Sequence, residues 1–94
     1  MRNEITEVQR FTSKAESLPY QQFEQFARTL SKDMLNQILQ KFLGIKKFYE
    51  KNLTIYPEFT KEGNKNYNYS RSKKKLASIK KRGKYIVELI NKNN

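Results

Sequence analysis

The amino-acid sequence predicts a small, mainly helical domain of about four helices, and three observations carry that prediction. Apolar residues recur at three- and four-residue steps through most of the chain, the spacing of one helix face. Pro19, Ser31 and Ser70 or Ser72 stand where such stripes begin, at places suited to starting helices. Six Phe and six Tyr supply bulky groups to a 94-residue chain that is only 36% hydrophobic in all and 31% charged, which favours a folded chain over a disordered one. Only the stretch 54–70 departs from helical spacing. It leaves two architectures open, helices with a β-hairpin in a winged-helix-like order or an all-α four-helix bundle.

A first helix is expected over Asn3–Ser17, with Ile5, Val8, Phe11 and Ala15 on one face and Glu4 and Glu7 in the first turn, where carboxylates suit the helix dipole. Leu18-Pro19 breaks it, because the residue before a proline avoids the helical region. A second helix then starts near Pro19 and runs to about Leu30, burying Tyr20, Phe23, Phe26, Ala27 and Leu30. Ser31 is the expected N-cap of a third, with Asp33 in its first turn. The densest apolar run follows, from Met34 to Tyr49, and places the centre of the core there, with Phe42 inside it.

Gly44 divides that run and admits two readings. In one, a single helix runs from Lys32 to about Asn52, since Leu35, Ile38, Phe42, Ile45 and Tyr49 keep one continuous stripe and a mid-helix glycine costs only about 1 kcal/mol relative to alanine. In the other, the segment Leu39–Leu53 resembles the helix-turn-helix signature. Gly44-Ile45 would form the turn, and Lys46–Leu53 a recognition helix exposing Lys46, Lys47 and Lys51. The segment departs from that family at Gln40, where a small residue is preferred, and at Glu50, where an aliphatic one is.

In 54–70, Thr54, Ile55, Tyr56 and Phe59 favour extended structure, and Tyr67 and Tyr69 alternate with Asn66 and Asn68 at the period of a half-buried strand. Glu62-Gly63-Asn64 is a candidate turn, and Pro57 would hold the first strand at an edge. A hairpin here would make Lys61 and Lys65 a wing tip, while an irregular loop fits equally well. The last segment, Ser70–Asn93, reads as an amphipathic helix. Leu76, Ile79, Ile86, Val87 and Ile90 fall within an arc of roughly 100°, and eight basic residues cover the remainder between positions 71 and 84: Arg71, Lys73, Lys74, Lys75, Lys80, Lys81, Arg82 and Lys84.

Charge divides the chain. Residues 1–44 carry six Lys/Arg against five Asp/Glu, a near-neutral scaffold, whereas residues 45–94 carry fourteen against four, a net of +10 within a total of +11. Such asymmetry points to a polyanionic partner. There is no Cys and no His, which removes disulfides, zinc fingers and Cys–His or Ser–His catalysis. The nine carboxylates are scattered and no glycine-rich phosphate loop is present, so neither an enzyme, a cofactor, a metal nor a small-molecule substrate is expected. The N-terminus lacks the apolar region of a signal peptide, and no apolar run reaches membrane-spanning length. A cytoplasmic protein without membrane association is expected. Dimerisation would enlarge a thin core, but the sequence does not demand it.

The function expected is nucleic-acid binding through the phosphate backbone, duplex DNA before RNA, by a regulatory or DNA-processing accessory factor of a plasmid or phage. Lysine outnumbers arginine fifteen to five, and lysine acts as a point charge where arginine reads guanine bidentately, so sequence selectivity should be modest. Tyr85, placed opposite the apolar stripe, and Tyr67 and Tyr69 would lie among the basic groups, where aromatics bond phosphates or stack on bases. A small helical inhibitor, immunity or adaptor protein with an acidic partner is the alternative. An amphipathic membrane-surface helix fits less well, because its apolar face lacks Trp and Phe anchors.

Overall fold

The computed structural model describes residues 6–92 and contains four helices: α1 (Glu7–Ser17), α2 (Tyr20–Arg28), α3 (Lys32–Ile55) and α4 (Tyr67–Lys92). Asn3, Glu4 and Ile5, expected in the first helix, lie outside the described residues, as does Asn93. Thr6 closes the start of α1 as a capping box: its hydroxyl accepts from the Gln9 N–H at 3.1 Å, and the Gln9 side chain accepts from the Thr6 N–H at 3.0 Å. Pro19 precedes α2 as its N-cap residue, and the Ser31 hydroxyl accepts from the Met34 N–H at the start of α3.

α3 is one continuous helix through Gly44, which overturns the helix-turn-helix resemblance. The physical reason lies in the apolar stripe. Leu35, Ile38 and Phe42 before the glycine are fully buried, and Ile45 and Tyr49 after it keep the same face. A break would turn that face away from α4 to relieve about 1 kcal/mol. Gly44 itself is exposed, and an added Cβ there would meet nothing within 4 Å.

The winged-helix reading is also corrected, because no strand forms among the described residues. The chain between α3 and α4 does fold back on itself, through a single antiparallel bridge between Phe59 and Lys65. Its turn falls at the expected place: the Gly63 N–H donates to the Thr60 carbonyl, and Gly63 adopts φ 86°, which glycine enters without a Cβ penalty. Two residues after the bridge the backbone turns helical. Tyr67 and Tyr69, expected on a strand, form the first turn of α4. The Asn66 side chain decides this, since its Oδ1 accepts from the N–H groups of Asn68 (2.9 Å) and Tyr69 (3.4 Å). Ser70 and Ser72 are therefore inside the helix rather than caps.

α3 and α4 pack antiparallel, Leu39 against Gly83 at one end and Asn52 against Ser72 at the other. At 1.5 Å per residue they run about 36 and 39 Å, which accounts for a flat molecule of 50 × 39 × 20 Å. α1 packs on both long helices, and α2 packs on α1 and α4. The core forms where they meet: Ala15, Phe23, Ala27, Leu35, Ile38, Phe42, Ile79 and Ile86. No residue from 43 to 55 is fully buried, so the half of α3 nearest the loop lies outside that core.

Arg82 ties the two layers together. Expected on the exposed basic surface, it is buried instead. Its Nη1 donates to the Ala15 carbonyl at 2.7 Å and its Nε to the Ser78 hydroxyl at 3.0 Å. The residue that would normally donate to that carbonyl, four positions on, is Pro19, which has no N–H. The guanidinium fills the vacancy at the negative end of α1. Its Cζ lies 5.2 Å from the centre of the Phe23 ring and 5.9 Å from that of Tyr20, which adds a cation–π component.

Two predictions separate these features by urea denaturation. Gly44→Ala is expected to stabilise the fold by about 1 kcal/mol through helix propensity, and destabilisation would return Gly44 to a turn. Arg82→Ala should cost about 2–4 kcal/mol, combining a charged hydrogen bond with the ring contacts, while Lys74→Ala and Lys75→Ala stay within about 0.5 kcal/mol. Equal, small effects at all three positions would remove the structural role assigned to Arg82.

Candidate nucleic-acid interface

The width of the buried face of α4 determines which basic groups are free. Besides the expected arc of Leu76, Ile79, Ile86 and Ile90, a second sector turns inward, comprising Ser78, Arg82, Tyr85 and Leu89. Together they span roughly 180° of the helix at 100° per residue. The stripe predicted from apolar residues alone is the side facing α3, and the added sector faces α1 and α2. Val87, expected within the stripe, is 40% exposed.

Seven of the eight basic residues between 71 and 84 are exposed: Lys73, Lys74, Lys80, Lys81 and Lys84 on the surface that remains, and Arg71 and Lys75 on the inward side of α4 but at the open concavity by the end of α1. Among the described residues none of these seven is ion-paired with a carboxylate. Lys81 keeps its ammonium 4.0 Å above the Tyr20 ring, an exposed cation–π contact.

The loop and α3 add charge beside α4. Lys65 and Glu58 line a shallow concavity with Lys73, Lys74 and Tyr69. Tyr67, 74% exposed, shares a second concavity with Arg71, Lys74 and Lys75 near the end of α1. Lys46 is half-buried where α3 meets Lys80 and Lys84. Lys47 and Lys51 are exposed on α3, and Lys61 is exposed in the loop turn. The structure thus groups Lys65 with Lys73 and Lys74, Arg71 with Lys75, and Lys46 with Lys80 and Lys84.

Two residues expected in the basic surface are withdrawn from it. Arg82 caps α1, and burial lowers its pKa from the ordinary arginine range, against the smaller opposing influences of Tyr20 and Glu16. Tyr85 is half-buried in an aromatic cluster, its ring centre 5.8 Å from that of Phe23 and 6.4 Å from that of Tyr20. Burial, followed by Glu24, Tyr85 and Glu88, raises the pKa of Tyr20 in that cluster. The inward turn of Arg82 had a sequence signal in Pro19, which leaves the carbonyl four residues earlier without its helical donor. Sequence reasoning also missed the contact between Asn52 Nδ2 and Ser72 Oγ, 3.4 Å apart across the two long helices.

Chemically, the exposed set offers ammonium and guanidinium donors to phosphate oxygens, with two tyrosines at the first turn of α4 able to hydrogen-bond or stack. No group of three or more Asp or Glu side chains able to hold a metal ion forms among the described residues, and no helix among them is long and apolar enough to cross a membrane. No family model matches the chain, and neither a curated protein nor a solved structure matches it.

Proposed function

We propose that the chain binds nucleic acid, duplex DNA foremost, through phosphate contacts made by α4 and the basic groups beside it. The observation that carries this reading is the set of seven exposed cations along α4, none of them neutralised by a carboxylate. From Arg71 to Lys84 the set extends about 20 Å along the helix at 1.5 Å per residue, more than half of a B-DNA turn of about 34 Å. Each cation that meets a phosphate releases condensed counterions, and six to ten such contacts give affinity that falls steeply with salt. The predominance of lysine supports backbone binding with modest base preference. The near-neutral α1 and α2 serve as scaffold, and a small domain of this kind suits an accessory role in DNA regulation or processing.

The test is a salt titration on random duplex DNA. The parent is expected to bind at low salt with a steep, linear fall of log K against log salt. Lys74→Ala, Lys75→Ala and Lys81→Ala combined should flatten that slope by about 0.9 for each phosphate the variant no longer neutralises. Replacing Lys46, Lys47 and Lys51 should lower affinity uniformly across sequences, because α3 contains no recognition helix. Failure of the parent to bind random duplex DNA at low salt would sink the proposal.

A further inference from the structure

A second feature of the molecule rests on exposed apolar surface rather than on phosphate contacts, although the lysines on its rim are shared with the nucleic-acid interface. On the surface shared by α3 and α4, away from α1 and α2, lies an open groove of about 270 Å³. Its floor is Leu39, Phe42, Ile79 and Gly83, and it passes between Leu43 and Val87, which are 43% and 40% exposed. Gly83 keeps the floor low, since a Cβ added there would already touch Leu39 Cδ1 at 3.8 Å. The rim is cationic: Lys46 on the α3 side, Lys80 and Lys84 on the α4 side, with no acidic residue among the groups that line the groove.

Volume and charge together limit the occupant. Pockets that engulf a drug-sized ligand run about 300–1,000 Å³ and are closed around it. This groove is slightly smaller and only partly enclosed, which suits side chains projecting from another element. A second copy of the chain, at +11 overall, would set its own Lys46, Lys80 and Lys84 against the same three groups in a two-fold pairing, and like charges oppose that contact. We propose that the groove docks an amphipathic helix of a partner protein, with an apolar stripe seated between Leu43 and Val87 and acidic residues on both flanks facing the three lysines. This is helix-in-groove recognition, in which apolar anchors at three- and four-residue steps supply affinity and flanking charge supplies orientation.

The probe is a synthetic helical peptide of about sixteen residues, with leucines at three- and four-residue steps and glutamates on either side of them. Its binding to the full-length chain is followed by fluorescence anisotropy. The peptide should bind. A version with the leucines changed to serine and every glutamate retained should bind at least about tenfold more weakly, a difference of about 1.4 kcal/mol. A version with lysine in place of glutamate should not bind. Val87→Glu and Leu43→Glu change exposed positions, so circular dichroism should show an intact fold while peptide affinity drops by a similar factor. Changing Lys46, Lys80 and Lys84 to Gln should weaken binding more than changing Lys47, Lys51 and Lys61 to Gln, which removes the same charge elsewhere. The proposal is overturned if the serine peptide binds as well as the leucine peptide, if Val87→Glu has no effect, if the two lysine triples are equivalent, or if the parent binds no peptide. A self-associated chain that Val87→Glu dissociates in sedimentation equilibrium would also overturn it, by making a second copy the occupant.

Discussion

A helix ended by proline leaves a carbonyl without its donor, and in this protein the remedy reaches across the molecule. Pro19 stops α1 and withholds the N–H that Ala15 would otherwise receive. Arg82, sixty-seven positions later, supplies it from the middle of α4. The contact holds the first helix on the last, and it fixes the α1–α2 turn relative to the long pair, because the same guanidinium lies against Phe23 and Tyr20. Burying a cation is costly unless its hydrogen bonds are met and its charge is compensated. Here a carbonyl at the negative end of a helix, a hydroxyl and two ring faces perform that compensation. Every buried side-chain nitrogen and oxygen among the described residues has a partner.

That one cation separates structural charge from available charge. Between positions 71 and 84 the sequence presents eight similar basic residues, and the fold sorts them. The seven exposed ones share a surface extended by lysines from α3 and the loop, while the near-neutral first part of the chain forms much of the opposite layer. The same sorting applies to the aromatics. Phe23 and Tyr85 pack at the meeting of α2 and α4, whereas Tyr67 projects beside Arg71. The exposed surface is thus strongly basic, with Glu58 and Glu16 at its margins, and it is backed by helices carrying little net charge.

The helices were legible in the sequence because each has an apolar face at helical spacing, and two of them, α2 and α3, begin at the local signal expected, whereas α1 starts at the Thr6 cap and α4 at Asn66 rather than at Ser70 or Ser72. Pro19 and Ser31 marked their boundaries to within a residue. Three features were hidden for physical reasons. Gly44 gave no local indication of whether it bends the chain, because its effect of about 1 kcal/mol is settled by whether Phe42 and Tyr49 must face the same neighbour. The Tyr67–Tyr69 alternation imitated a strand because a period of two over three residues does not distinguish strand from helix, and the Asn66 side chain decided the outcome. Arg82 and Tyr85 are of residue types common at surfaces, but type alone does not give direction. A helix with neighbours on two sides buries a sector wider than its apolar residues define, and long amphipathic side chains complete it. Most of the candidate site, being exposed lysine, was legible from charge alone. Its grouping around α3 and the loop required the antiparallel pairing.

The uneven burial along α3 has a kinetic meaning. Its fully buried residues stop at Phe42, and beyond them the two long helices are joined through the buried Leu76, a polar pair, Asn52 and Ser72, and half-exposed side chains. Opening the loop end of the pair therefore exposes less apolar surface than separating Leu35, Ile38 and Phe42 from Ile79 and Ile86, which dissolves the core. Backbone amides near the loop should exchange with solvent through local openings, and those around Ile38 only through global unfolding. The cations nearest the loop, Lys65, Arg71, Lys73 and Lys74, are thus carried on the more easily opened end of the helix pair, whereas Lys80, Lys81 and Lys84 stand beside Arg82 on the end that keeps its shape.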